Sequence, residues 1–388
     1  MNFSRCHCPA GQLDLRHAVT RLEAGIAQLV EQLICNQQVV GSSPTAGSMA
    51  RFPPRVVNGK PSGSRSNAQP FMSRSFIRFF FFIPLISVAL VLAGCDKQQK
   101  RVPRAVAIRP DGSMEVTLMT FNLRYENDQE TGKRAWNNRV IGIVGMLERE
   151  SVEILGIQEG LHGQVADLRA SLPEFGFVGV GRSDGHRNGE YAGIFYQQDH
   201  FDLDEANFGT CWLSDTPDQP GSMTWGNQIP RTATWVRLID RSSAQALWVL
   251  NTHFDHRNQE SREKGVRLIM RKLARMNQRK EPVVVMGDFN ATERNAAVRY
   301  LSEYQPVDGI DGLIETYELL HRNEKKRGTL HFWMNDVNRQ WKVDHIFVSK
   351  HADVLEAKIV KSGEPYLSDH FPVKARVRFL KADVAMQR

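Results

Sequence analysis

The stretch Pro282-Val-Val-Val-Met-Gly-Asp-Phe-Asn290 constrains the fold more than any other. Four consecutive apolar residues, Val283 to Met286, cannot alternate between core and solvent, so they predict a strand buried on both faces. Gly287 lets the backbone turn. Asp288 and Asn290 follow on one face of the strand end, with Phe289 pointing the other way. A carboxylate and an amide side by side at the mouth of a core strand are costly to bury without purpose. On this stretch alone, a polar turn explains them equally well.

The chain has 388 residues, 41% of them hydrophobic, enough for one large domain or two ordinary ones. Its net charge of +7 is unevenly placed. Residues 1–95 hold nine of the 50 Lys/Arg and three of the 43 Asp/Glu, which leaves residues 96–388 at +1. The remainder therefore has no global field that would draw in nucleic acid.

Residues 73–95 combine a short basic region, the apolar run Phe79 to Leu92 and a small-residue site, the parts of a secretory signal. Leu92-Ala93-Gly94-Cys95 resembles a bacterial lipobox with Cys95 as the lipidated residue. Asp96 resembles the residue that keeps such lipoproteins at the inner membrane. Pro84 and the Ala-Gly-Cys ending favour cleavage over an uncleaved anchor. Met72 is the expected start. Residues 1–71 are then a spurious or disordered leader, 72–95 a lipoprotein signal and 96–113 a polar tether. Gly25 to Ser48 resembles a peptide translated from a transfer-RNA gene region, the alternative being an amphipathic helix near residues 20–34. With Cys95 lipidated, Cys211 stands alone, which excludes a disulfide framework or a thiolate metal cluster in the mature chain.

From residue 114 the hydrophobic pattern predicts strands at 116–122, 154–159, 175–180, 191–196, 232–239, 246–254, 342–348, 356–360 and 373–379, besides the one at 283–286. Helices are predicted at 136–150, 165–172, 258–280 and 295–302. The basic side of the long helix, Arg262, Lys264, Arg267, Arg271, Lys272, Arg275 and Arg279, reads as a solvated face rather than a nucleic-acid patch. No repeat or long linker interrupts the region. Residues 114–380 read as one α/β domain of two packed sheets with outer helices, followed by a tail at 381–388.

Strand after strand ends in a polar residue: Asn122, Glu159, His253, Asp288 with Asn290, Asp344, and Asp369 with His370. Together they imply that the strand ends converge on one site. The set is carboxylates, amides and imidazoles without thiolates, which suits Mg²⁺ or Mn²⁺ better than a closed zinc site. Ser368-Asp369-His370 has the letters of a hydrolytic triad, but adjacent residues cannot form one, and the chain has no Gly-x-Ser-x-Gly elbow.

The motifs Thr120-Phe-Asn-Leu123, Ile157-Gln-Glu159, Asn251-Thr-His253, Met286-Gly-Asp-Phe-Asn290, Val343-Asp-His-Ile346 and Leu367-Ser-Asp-His-Phe-Pro372 occur in order across residues 116–379. In this they resemble the endonuclease/exonuclease/phosphatase superfamily, with its deoxyribonuclease I-like fold. Gly189 to Gly193, Pro230 to Trp235 and Asn251 to His256 resemble a bacterial secreted subgroup. The resemblance implies a four-layer sandwich of two mixed sheets flanked by helices. It implies Glu159 as principal metal ligand with Asn122 and Asp369 nearby, Asp288 and Asn290 handling the attacking water, and His370 on the phosphoryl oxygens, oriented by Asp344. His253 becomes a proton donor or phosphate contact. Arg231, Tyr191, Glu190 and His331 are the implied substrate residues, though core packing explains His331 equally well. Asp255 and His256 either join the site or cap the next helix.

The expected activity is divalent-metal-dependent hydrolysis of a phosphodiester or phosphomonoester, on a small molecule, sugar or lipid headgroup. A nuclease is the alternative, since a local patch can still bind nucleic acid, and a non-catalytic phosphate-binding lipoprotein is a third reading. The expected partners are a phosphorylated substrate and the membrane, through lipid on Cys95 at the periplasmic face. No protein partner follows from the sequence.

Overall fold

The uninterrupted apolar run lies in the strand Val283–Asp288, whose side chains alternate between two buried layers. Val284 and Met286 enter one apolar cluster, Val283 and Val285 another. The computed structural model describes residues 109–303, 312–334 and 341–380. The first sheet holds β1 (Met114–Asn122), β2 (Ile154–Gly160), β3 (Phe175–Val178), β4 (Tyr191–Gln197), β11 (Ala352–Ile359) and β12 (Val373–Phe379), in the order β11-β12-β1-β2-β4-β3. The second holds β5 (Phe201–Trp212), β6 (Thr232–Asp240), β7 (Ala246–His253), β8 (Val283–Asp288), β9 (Leu313–Glu315) and β10 (Asp344–Ser349), in the order β5-β6-β7-β8-β10-β9. Both are mixed: β1 with β2 and β7 with β8 are parallel, and the other pairs are antiparallel.

The helices are α1 (Trp136–Arg149), α2 (His162–Ser171), α3 (Gln259–Met276), α4 (Ala296–Glu303) and α5 (Thr316–His321). One apolar cluster joins α1 and α2 to the outer face of the first sheet, through residues such as Ile143, Leu168, Phe121 and Ile157. A second fills the space between the sheets, and a third joins α3 and α4 to the second sheet. These clusters make four layers, helix, sheet, sheet, helix, as anticipated.

Asn251 bolts the two sheets together. Its side chain, fully buried on β7, donates to the carbonyls of Ile157 and Gly193, both at 2.8 Å, and accepts from Gln158 at 2.7 Å. Gly287 is required by a close approach: at φ 149°, a Cβ there would lie 2.0 Å from the Thr252 carbonyl oxygen.

Several boundaries differ from the sequence reading. Helix α3 ends at Met276 rather than running to residue 280, because the Asn277 side chain turns the chain by bonding both backbone groups of Glu281. Arg262 is not on the solvated face of that helix. It is 2% exposed and donates to the Asp255 carbonyl. Lys264 and Arg267 do face outward, paired with Glu260 and Glu263. Among the described residues no helix is long and apolar enough to cross a membrane. The leader, signal segment, Cys95 and C-terminal tail all lie outside the described residues, as does the tether up to residue 108.

Candidate active site

The ends of β1, β2, β7 and β8 meet the start of β10 and the segment before β12. Register does much of the alignment. On the second sheet Asp288 sits opposite His253 on one side and Asp344 on the other. From the first sheet Asn122 reaches across, donating to Glu159 Oε1 at 3.0 Å and to Asp288 Oδ2 at 2.9 Å. Its own oxygen accepts the Arg124 amide at 2.9 Å. Asn122 is thus a bridge between two carboxylates.

Asp288 and Asn290 are not two positions on one strand face, as the period-two reading had them. The strand stops at Asp288, and Asn290 turns back with φ 47°. Its amide donates to Asp288 Oδ1 at 2.8 Å and its side chain to the Phe254 carbonyl at 3.0 Å. Arg124, Glu159, Asn290, Phe332 and Trp333 all have positive φ. Each such conformation costs about 1–3 kcal/mol, so these segments hold strain that surrounding packing must sustain.

His370 Nδ1 meets Asp344 Oδ2 at 2.9 Å, and His370 Nε2 lies 4.0 Å from Asp288 Oδ2. Burial alone would lower the His370 pKa, but Asp344, Asp288 and Asp369 outweigh it and push it up to about 10. His253 Nε2 stands 3.6 Å from Asp288 Oδ2, with Nδ1 3.8 Å from Glu190 Oε2. Burial, then Arg231 and Arg182, holds His253 well below the ordinary imidazole value. The site therefore presents one charged and one neutral imidazole.

Burial and Asp344 push the Asp288 carboxyl up to about 7, against His370, the Asn290 amide and Asn122. Asp369 is also raised, by burial first and by Glu159. For Glu159 burial is outweighed by Arg124, the Asn122 bond and His370, so its carboxyl stays below the usual range.

This donor set fits a hard divalent cation. Among the described residues, Glu159, His253 and Asp288 offer ligand atoms within 4.8 Å of one another, and so do Asp288, Asp344 and His370. Asp344 Oδ1 is buried without a hydrogen-bond partner. Crowded carboxylates that resist ionisation, beside an orphaned oxygen, ask for positive charge. Asp369 belongs to neither group. Its Oδ2 lies 3.9 Å from Arg124 Nε, and its backbone is held by the amides of His331 and Phe332.

Beside His253 lies a tight recess, with no room for a water-sized sphere, lined by Arg182, Glu190, Tyr191, Ala192, Arg231, Thr232 and His253. Arg182 pairs with Glu190 through both terminal nitrogens, at 2.6 and 2.7 Å. Arg231 is 3% exposed; one terminal nitrogen meets His256 at 2.8 Å, while Nε and Nη1 have no hydrogen-bond partner. Asp255 turns the chain into α3 by accepting the amides of Arg257 and Asn258, and also lies 3.6 Å from Arg231. Asp255 is therefore not the cap of α3, which is Asn258, and its ion pair with Arg231 lies on the recess side.

Tyr191 and His331, both implied as substrate residues, are engaged within the fold, though Tyr191 also lines the recess. The Tyr191 hydroxyl is spent on the His186 carbonyl and His162, and its ring packs in the α1/α2 cluster. His331 is 2% exposed and stacked on Phe371 at 4.1 Å, so it supports the Asp369 segment from behind. Arg124 and Arg182 were missed. Arg124 directly follows the first motif, Thr120 to Leu123, which was the available signal; Arg182 had none.

The sequence pattern of the endonuclease/exonuclease/phosphatase family matches residues 119–370. The chain belongs to this family. A family member from Bacteroides vulgatus is 32% identical with a TM-score of 0.62, over 69% of this chain and all of that one. A mannosyl-6-phosphatase of Bacteroides thetaiotaomicron is 29% identical with a TM-score of 0.60, over 68% of this chain and all of that one. The human nocturnin catalytic domain, at 19% identity and a TM-score of 0.55 over 69% of this chain and 94% of that one, shares the fold. No curated protein matches. Members of the family are divalent-metal-dependent phosphoester hydrolases, and this chain is a phosphoester hydrolase.

Proposed function

We propose that this family member hydrolyses a small phosphomonoester, with a sugar phosphate as the leading substrate class, using Mg²⁺ or Mn²⁺. The observation that carries the reading is Asp288, set between neutral His253 and charged His370. Glu159 would hold the cation, with Asn122 and Asp369 beside it. When bound, the ion neutralises charge on the phosphoryl oxygens.

The chain's own residues supply the rest. Asp288 in its ionised form takes the proton of the attacking water, and Asn290 fixes the carboxylate that does so. His370, kept charged by Asp344, donates to a phosphoryl oxygen. Nε and Nη1 of Arg231, which have no hydrogen-bond partner, suit another such oxygen. His253, neutral before substrate arrives, donates a hydrogen bond there, and an incoming dianion favours its protonation for the leaving oxygen.

The near-neutral charge of residues 96–388 supports a small polar leaving group over duplex DNA. The mannosyl-6-phosphatase supports a sugar. We further propose that lipid on Cys95 tethers the enzyme at the periplasmic face of the inner membrane. Incorporation of labelled fatty acid, lost in Cys95→Ala, checks the tether.

The activity is tested by assaying purified protein with hexose phosphates, a generic phosphodiester and plasmid DNA, each with Mg²⁺ and with chelator. Metal-dependent phosphate release from a hexose phosphate is expected. Cleavage of DNA alone would overturn the reading in favour of a nuclease, and turnover of none would favour a phosphate-binding protein.

A further inference from the structure

Arg139 lies on α1 and takes no part in the chemistry above. It is 1% exposed, and it occupies the core-facing stripe of the helix with Trp136, Ile143 and Met146. Its hydrogen bonds go to backbone carbonyls. Nε donates to Arg134 at 2.8 Å, Nη1 to Leu123 at 2.5 Å and to Leu367 at 2.9 Å, and Nη2 to Arg124 at 3.0 Å. The indoles of Trp136 and Trp333 lie 5.3 and 5.5 Å from its guanidinium carbon.

The Leu123, Arg124 and Leu367 carbonyls belong to the segments of Asn122 and Asp369, the residues proposed above to stand beside the cation. Leu123 and Arg124 directly follow Asn122, and Leu367 stands two residues before Asp369. The same helix approaches the second segment closely: a Cβ on Gly142 would lie 2.5 Å from the Leu367 side chain. Ser368 adds a direct link, its hydroxyl donating to the Asn122 carbonyl at 2.7 Å. Arg124 also holds φ 56°, with its carbonyl fixed by Arg139 and, from α2, by Gln164 at 3.1 Å. A planar guanidinium can serve four carbonyls from one rigid fork, which a flexible ammonium or a two-donor amide cannot do.

We propose that Arg139 is a positioning residue. It sets the spacing between the Asn122 and Asp369 segments, and through that spacing the affinity of the site for its divalent cation. The inference rests on the reading of these residues as cation-binding. Groups behind metal ligands typically carry 10- to 100-fold in metal affinity.

Mn²⁺ binding to the full chain, followed by titration calorimetry and by electron paramagnetic resonance, tests this without reference to turnover. Arg139→Gln is expected to keep a folded circular-dichroism spectrum and bind Mn²⁺ about tenfold more weakly or worse. Arg139→Lys should fall between it and the wild type. Met146→Ala removes packing from the same helix and should keep wild-type affinity. A folded Arg139→Gln with unchanged affinity would overturn the inference. So would an equal loss in Met146→Ala, which would make the effect one of stability. If neither Arg139 variant folds, the residue is a folding residue and the inference also fails. A wild type that binds no Mn²⁺ would instead bring down the cation reading itself, and this inference with it.

Discussion

Asp288 must lose a proton to act as a base, yet its surroundings favour keeping it. Burial and Asp344 raise it to about 7, so the carboxyl competes for a proton near neutral pH unless a cation is present. General-base contributions run to about 10²–10⁴ in rate. Asp288→Ala is therefore expected to lose at least about a hundredfold in kcat, measured on the best substrate with saturating metal. Retention of near-wild-type turnover would remove Asp288 from the mechanism. His370 gives a separate test through stability. Its pKa rises from about 6.5 in an unfolded chain to about 10 in the fold. Folding therefore favours the protonated form, and the stability gained is complete below about pH 6.5 and lost as pH climbs toward 10. Metal-free protein should show a falling urea midpoint from pH 7 to pH 9, and His370→Gln should flatten that slope. Parallel slopes for the two proteins would show that the Asp344 pairing does not perturb His370.

At the scale of elements, the two sheets hold the site only if they keep their mutual position, and Asn251 is the side chain that ties them. Removing it strands the carbonyls of Ile157 and Gly193 and one partner of Gln158, all in the buried layer. An unsatisfied buried group costs about 1–3 kcal/mol, so Asn251→Ala should lose about 3 kcal/mol or more by denaturant titration. A loss below about 1 kcal/mol would mean that packing alone sets the sheet spacing. The motif containing Asn251 was legible; its structural job was not, because a hydrogen bond to the other sheet leaves no local pattern. The same limit explains the missed elements. Strand β5 runs Phe201–Trp212 at a sheet edge, only partly buried and with a register shift between Leu203 and Phe208, so no alternation survives to be read. Strand β9 and helix α5 are too short to show a period. The buried strands β1, β2, β7, β8 and β10 were read nearly to their ends, because uninterrupted apolar runs have few other uses. Polar residues at those ends were legible for the same reason. Arg139 was not, since a charged residue on the core side of a helix looks like an interruption of the stripe.

For the molecule as a whole, the cation and the protons compete for one cluster of carboxylates. Asp369 is raised by burial, and Asp288 is raised to about 7, so near neutral pH the metal-free protein holds protons on Asp288 that an ion must expel. Mn²⁺ binding should then release protons, and its apparent affinity should strengthen as pH rises through about 7. Calorimetric titrations at pH 6.5 in buffers of different ionisation enthalpy measure the number released. Stability should follow by mass action: at a hundred times the dissociation constant, bound ion adds about 2.7 kcal/mol to the folded state. The unfolding midpoint of the wild type should rise accordingly with Mn²⁺, while Glu159→Gln, which removes a site carboxylate held ionised by its surroundings, should show little rise. If the wild type binds Mn²⁺ without releasing protons, the raised carboxylates lie outside the cation's reach. The ion would then be held by Glu159 without Asp288, and the water-activating role of Asp288 would have to operate at a distance from it.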